Sequence, residues 1–243
     1  MLHRICGIRE FIDADQQSRV GRLRSAIIDS VADQRSLVAA TRLKGQSPLR
    51  IPQLMALAAF ESWLRAKDPG QVALGRIVLP MGAGKTALAG LLAALVGGET
   101  IYVTHSKQQG NQALSEFLPL GDRFSLSIGR YYGRHTDTGR NITIAGFSAL
   151  DKLREQGKLN DVRLILLDEA DVSGLSDDRA QVVKRLAAHF GFPIVGISAT
   201  ELQASGKKLG DVYVDEILNL PIPKALPTLR DWNLLPDLIF RDW

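Results

Sequence analysis

The chain has 243 residues, 45% of them hydrophobic, enough for one large globular domain or a domain with a small extension, and that content excludes a disordered polar chain. Its net charge of +4 is uneven: residues 1–50 hold nine Lys/Arg against five Asp/Glu, the other 193 hold 21 of each, and a basic leading segment on a neutral body points to an anionic partner. No apolar run approaches the roughly 18 residues of a transmembrane helix, no signal-peptide pattern opens the chain, and Cys6 is the only cysteine, so no membrane association, no internal disulfide and a cytoplasmic location are expected.

Residues 1–46 read as a helical extension. Val20, Leu23, Ile27 and Val31 recur at helical spacing, and Asp15 is its N-cap candidate. The breaker cluster Gly45-Gln46-Ser47-Pro48 marks the boundary to a body over 47–220. That body opens with a helix over 54–64 and a turn at Asp68-Pro69-Gly70. Strands and helices then alternate. Strands are predicted at 76–79, 100–104, 124–128, 142–145, 162–167 and 193–197, and helices at 87–96, 107–117, 148–156 and 179–190. Such alternation predicts an α/β fold, a parallel sheet covered by helices on both faces in three layers. In such sheets the chemistry gathers at the carboxyl ends of the strands. Residues 221–243, rich in Pro and Leu, read as a linker-like tail.

Three stretches fall at strand ends. The first is Met81-Gly82-Ala83-Gly84-Lys85-Thr86, between a strand and an apolar helix. Glycines let backbone N–H groups wrap anionic oxygens, and the helix N-terminus adds positive dipole. Lys85 would reach the β- and γ-phosphates, and the Thr86 hydroxyl would sit on Mg2+. The full phosphate-loop pattern has a glycine where Leu79 stands; the plainer reading is a glycine-rich turn with an exposed lysine. The second stretch is Asp168-Glu169-Ala170-Asp171, after the apolar run Leu164-Ile165-Leu166-Leu167. Asp168 is the expected holder of Mg2+, and Glu169 is placed to orient or deprotonate the attacking water, unless the stretch is only a charged loop. The third is Ser198-Ala199-Thr200, whose hydroxyls either bond the carboxylates and sense the γ-phosphate or cap the next helix.

Between these lies Gly129-Arg130-Tyr131-Tyr132-Gly133-Arg134-His135. Basic residues interleaved with aromatics suit phosphate contact and base stacking, or make a polar surface loop. His105 and His135 read as ordinary polar residues, since no ligand spacing for zinc is present.

In this order the motifs resemble the first RecA-like lobe of superfamily 2 helicases, in the DEAD/DEAH-box-like or type III restriction-subunit-like branch. The likeness covers residues 46–243. Met81 to Thr86 correspond to motif I, Asp168 to Asp171 to motif II and Ser198 to Thr200 to motif III. Upstream, Arg50 and Gln53 are similar to the family's adenine-reading segment, which implies that Gln53 contacts the base edge. The resemblance makes Met81, Gly82, Ala83, Gly84, Lys85, Thr86, Ser198 and Thr200 nucleotide contacts. It implies ATP and Mg2+ as cofactors and DNA or RNA, bound without regard to sequence, as partner. The segment 103–112 stands where motif Ia lies but lacks its proline. Gly146 replaces the threonine of another phosphate-contacting segment.

Helicases of this superfamily pair two such lobes, and the second donates arginines to the ATP. Only 43 residues follow Thr200, where a second lobe would need roughly 100 or more. The expectation is therefore an ATP-binding lobe of a nucleic-acid-dependent ATPase, incomplete by itself, either as a fragment or truncated gene product or with the other lobe supplied by another chain, and with hydrolysis weak without that lobe. The alternatives are a nucleotide-dependent binding or regulatory module that does not turn over, and a P-loop ATPase outside the helicases.

Overall fold

The computed structural model describes residues 51–67, 71–173, 177–202 and 206–220. The expected extension 1–46 with Cys6, Asp15 and its apolar stripe, the turn at 68–70 and the tail 221–243 lie outside the described residues. Helix α1 (Ile51–Arg65) begins three residues before the predicted start, because Pro52 sits in the first turn, where its missing N–H has no partner to lose. Strand β1 (Leu74–Val78), α2 (Lys85–Val96), β2 (Glu99–Thr104), α3 (Lys107–Phe124), β3 (Ile128–Tyr131) and β4 (Ile142–Gly146) follow. Next come α4 (Ala149–Glu155), β5 (Val162–Asp168), the short α5 (Ala170–Ser173), α6 (Asp177–Phe190), β6 (Ile194–Ser198) and β7 (Asp215–Asn219).

The seven strands form one sheet in the order β3-β4-β2-β5-β6-β1-β7. Every neighbouring pair is parallel. Central parallel strands are buried on both faces, which is why β5 is almost wholly apolar. Its side chains alternate between two cores. Leu164 and Leu166 join Phe60 of α1, Leu91 of α2 and Phe117 of α3. Ile165 and Leu167 join Leu153 of α4 and Val183 and Leu186 of α6. Helices therefore cover both faces, and the predicted three-layer α/β architecture is the observed one. No helix among the described residues is long and apolar enough to cross a membrane.

Two elements differ from the sequence reading. The strand expected over 124–128 is instead the end of α3, a turn at Ser125 with φ 54°, and the first residue of β3. The helix continues past Pro119 because Phe117, fully buried, and Leu120 anchor its apolar face on the core. Gly121 then permits the return of the chain, since a Cβ there would lie 2.8 Å from the Leu126 carbonyl oxygen. As a result Arg130 and Tyr131 belong to a strand rather than to a loop. Tyr131 is buried, donates its hydroxyl to Gln156 Oε1 at 3.0 Å, and carries Lys158 Nζ 5.1 Å above its ring. It offers no face to a nucleic-acid base, which corrects the stacking role expected of it.

The second difference is β7, whose Asp215, Glu216 and Asn219 suppress the β pattern in the sequence. Arg76 of β1 holds it from the neighbouring strand. Its guanidinium donates to the carbonyls of Tyr213 and Val214, at 3.0 and 3.2 Å, and pairs with Glu216 at 2.9 Å and Glu201 at 3.1 Å.

Candidate functional site

The strand order brings the carboxyl ends of β2, β5, β6 and β1 side by side. Leu79 occupies the place of the missing glycine. Its side chain is fully buried, and its N–H donates to the Ser198 carbonyl at 2.9 Å, extending the contact of β1 with β6. The position therefore serves packing, and the turn starts only after it. Gly82 and Gly84 both adopt left-handed backbone, φ 76° and 78°, which explains glycine at these two positions. Ala83 is buried, whereas Met81 is exposed. Gly84 caps α2 without a side-chain hydrogen bond, and no acidic residue lies in the first turn. The helix start thus presents its amides with no acidic side chain in its own first turn, and Lys85 and Thr86 are its first two residues.

Gln53 of α1 is buried behind this loop and donates Nε2 to the Gly84 carbonyl at 3.0 Å. A Cβ on Gly84 would come within 2.5 Å of that nitrogen. Gln53 is thus in direct contact with the back of the glycine loop.

Asp168 ends β5. Burial pushes its carboxyl above the ordinary range. The Tyr102 hydroxyl beside it opposes that rise, Glu169 adds to it, and the Glu169 N–H and Lys85 oppose it. The Glu169 N–H donates to Asp168 Oδ1 at 3.1 Å. Tyr102 of β2 is held protonated chiefly by burial and then by the Asp168 carboxylate. Its hydroxyl lies beside Asp168 and Thr86. Tyr102 packs edge-on against Phe117, ring centroids 4.9 Å apart, which fixes the hydroxyl at this spot. The donor set of Thr86 and Asp168, all oxygen, fits Mg2+, which takes one or two protein oxygens and completes its shell with phosphates and water. No group of three or more His, Cys, Asp or Glu among the described residues could hold a metal by itself.

Glu169 follows with φ 46°, a left-handed conformation unusual for a residue with a side chain. Its Oε2 accepts a short hydrogen bond from Gln109 Nε2 of α3. The third motif is tied to the second: Thr200 Oγ1 donates to Asp171 Oδ2 at 2.7 Å, and the Thr200 N–H donates to Ser198 Oγ at 3.1 Å. Ser198 itself is fully buried, while Thr200 lies at the surface. Further along the same edge, His105 Nδ1 and Arg179 Nη1 approach to 3.5 Å, and the Arg179 guanidinium stands 5.3 Å over the Phe147 ring.

Lys85, Thr86, Asp168, Glu169, Ser198 and Thr200 therefore meet at one edge of the sheet, with Gln53 beneath. The sequence reading passed over Tyr102, Gln109 and Arg179. Only Gln109 left a local signal: Ser106-x-x-Gln109 is a capping-box pattern, and both of its reciprocal hydrogen bonds form.

A glycine loop on a helix start, facing a strand-end carboxylate pair across a parallel sheet, defines a P-loop nucleotide-binding domain of RecA-like fold. Residues 55–205 match the DEAD/DEAH box helicase family, and the chain belongs to that family as a helicase ATP-binding domain. A protein of Halobacterium salinarum that carries the name of a DNA 3'-5' helicase, Rad25, is 27% identical over 202 residues, 82% of this chain and 31% of that protein. The chain thus spans about a third of the length of this curated relative. Among solved structures, a hypothetical ATP-dependent RNA helicase from Sulfolobus tokodaii is similar, with TM-score 0.54, 18% identity, and 80% of this chain and 57% of that one covered. The UvsW helicase from bacteriophage T4 is similar with TM-score 0.54 and 13% identity, over 78% and 68% of the two chains. The Hef helicase domain of Pyrococcus furiosus gives 0.53 and 18%, over 70% and 39%. At these identities the likeness is one of fold.

Proposed function

We propose that the chain binds ATP with Mg2+ and hydrolyses it in response to nucleic acid, as the first of two RecA-like lobes. The observation that carries the reading is the meeting of Lys85 and Thr86 at the start of α2 with Asp168 and Glu169 at the end of β5. The amides of 81–84 and the Lys85 ammonium bind the β- and γ-phosphates. Thr86 and Asp168 would hold Mg2+, which when bound neutralises charge on the phosphate oxygens. Glu169 orients the attacking water and accepts its proton. Thr200, through Asp171, ties the end of β6 to this carboxylate loop.

Residues 47–220 make up this lobe, with 1–46 as an extension and 221–243 as a linker. Charge developing on the γ-phosphoryl oxygens also calls for arginine donors, worth about 10³–10⁵ in rate in related chemistry. A second lobe is their source in this reading, and residues 1–243 by themselves then turn over slowly. The deciding experiment is ATP turnover with and without single-stranded DNA, duplex DNA and RNA. Turnover that rises with one of these polymers supports the reading. ATP binding with no turnover under any condition favours a nucleotide-dependent regulatory module. Turnover indifferent to every polymer favours a P-loop ATPase outside the helicases.

Two results follow for binding. Gln53 is the adenine reader in this proposal, because a side-chain amide can pair with the N6 and N7 edge of the base. Gln53→Ala is then expected to weaken ATP more than GTP in calorimetric titration. Equal losses would assign the residue only to support of the glycine loop through Gly84. The nucleic acid lies across the loops after β2 and β4, with Arg130 and Arg134 nearby in the chain. Phosphate contacts dominate such binding and release counterions. Affinity for single-stranded DNA or RNA, measured by anisotropy, should fall at least tenfold between 50 and 200 mM salt. A flat profile rejects the phosphate-dominated interface.

A further inference from the structure

We infer that Gln109 is a positioning residue for the water-activating carboxylate of Glu169, and this rests on the reading of Glu169 as the general base. Three observations converge. Glu169 sits on left-handed backbone, φ 46°, with its side chain at the surface. Gln109, sixty positions earlier in the chain, reaches it with Nε2. The Gln109 amide is also fixed from its other end: Oε1 accepts from the Ser106 N–H at 3.1 Å, within the capping box that starts α3. A backbone N–H can only donate, so the amide oxygen must face Ser106 and the NH2 must face Glu169. The orientation of the donor is therefore set by the helix cap.

The topology explains why this contact exists. Strands β2 and β5 are neighbours, so the helix start just after β2 stands beside the loop just after β5. A capping box needs only Glu or Gln at its third helical position. Glutamine satisfies that need and adds a donor, which glutamate would lack. The choice of amide over carboxylate at this position is thus explained by Glu169 and not by the cap.

This contrast supplies the test. Gln109→Glu keeps the capping box but sets a carboxylate against Glu169; Gln109→Leu removes both cap partner and donor. Single-turnover ATP hydrolysis by the whole chain in excess over ATP, with saturating single-stranded nucleic acid, reads the chemical step. Positioning predicts that both variants lose about tenfold in rate, the scale of one charge-assisted hydrogen bond, with ATP affinity within about twofold of the parent. In a Glu169→Gln background neither substitution should lower the rate further. A parental or faster rate in Gln109→Glu, with Glu169→Gln strongly impaired, overturns the inference and leaves the reading of Glu169 standing. Parental turnover in Glu169→Gln itself overturns the reading of Glu169 and with it this inference. A rate loss in Gln109→Leu with none in Gln109→Glu assigns Gln109 to helix capping alone and also overturns it.

Discussion

Lys85→Ala is expected to abolish measurable ATP binding while leaving the fold intact. Lys85 is the first residue of α2, directly after Gly84 at φ 78°. The turn aims the helix start, and the ammonium with it, at the place where the β- and γ-phosphates lie in the proposed complex. A hydrogen bond to a charged group is worth about 1.5–3 kcal/mol. Losing one such bond to each of two phosphates removes roughly 3–6 kcal/mol, a factor of about 10²–10⁴ in Kd. Isothermal titration of ATP with Mg2+ into the variant reads this directly. Alanine is the best helix former, so the helix start should tolerate it. An unchanged melting temperature would assign the loss to the site. Undiminished ATP affinity would reject the phosphate-loop assignment.

Glu169→Gln is expected to separate binding from chemistry. The substitution keeps size and hydrogen-bonding reach but removes the group that takes the proton of water. General-base catalysis contributes about 10²–10⁴ in rate, so turnover should fall by that factor, about 2.7–5.4 kcal/mol of barrier. ATP affinity should hold, because Lys85, Thr86 and Asp168 are untouched. One gain is also expected: the variant no longer holds a second carboxylate charge beside Asp168, one of the causes that raise the Asp168 carboxyl. Binding of ATP with Mg2+ should therefore be equal or tighter. Rapid-quench measurement of a single turnover, beside equilibrium titration, tests both halves. Equal losses in rate and affinity would make Glu169 a structural residue of the loop.

Much of this site is legible without coordinates because its parts are local. A phosphate-binding loop needs a strand, two glycines that tolerate positive φ, a lysine and a hydroxyl, all within one short stretch from Leu74 to Thr86. The carboxylates follow a strand so apolar that it must be buried on both faces. The order of the motifs along the chain then implies the family to which the chain belongs. The reading fails where local signals compete with long-range packing. The helix predicted over 107–117 stops short of Pro119, but Phe117 and Leu120 keep α3 going on the core and push β3 onward to Ile128. Tyr131 reads as a stacking residue, because a motif of Arg and Tyr carries no record of which face is buried. The acidic β7 reads as no strand at all, since its partner Arg76 lies more than a hundred residues away.

The sequence by itself determined the α/β class, the glycine loop, the carboxylate pair and their succession, since each depends on neighbours within a few residues. Only the tertiary structure decided that Gln53 lies against Gly84, that Tyr102 lies beside Asp168 and Thr86, that Thr200 bonds Asp171 and that Gln109 reaches Glu169. The reason is the order of the strands. A parallel sheet that places β2 beside β5 and β6 between β5 and β1 joins residues tens of positions apart at one edge. No periodicity or spacing along the chain encodes which strand ends become neighbours.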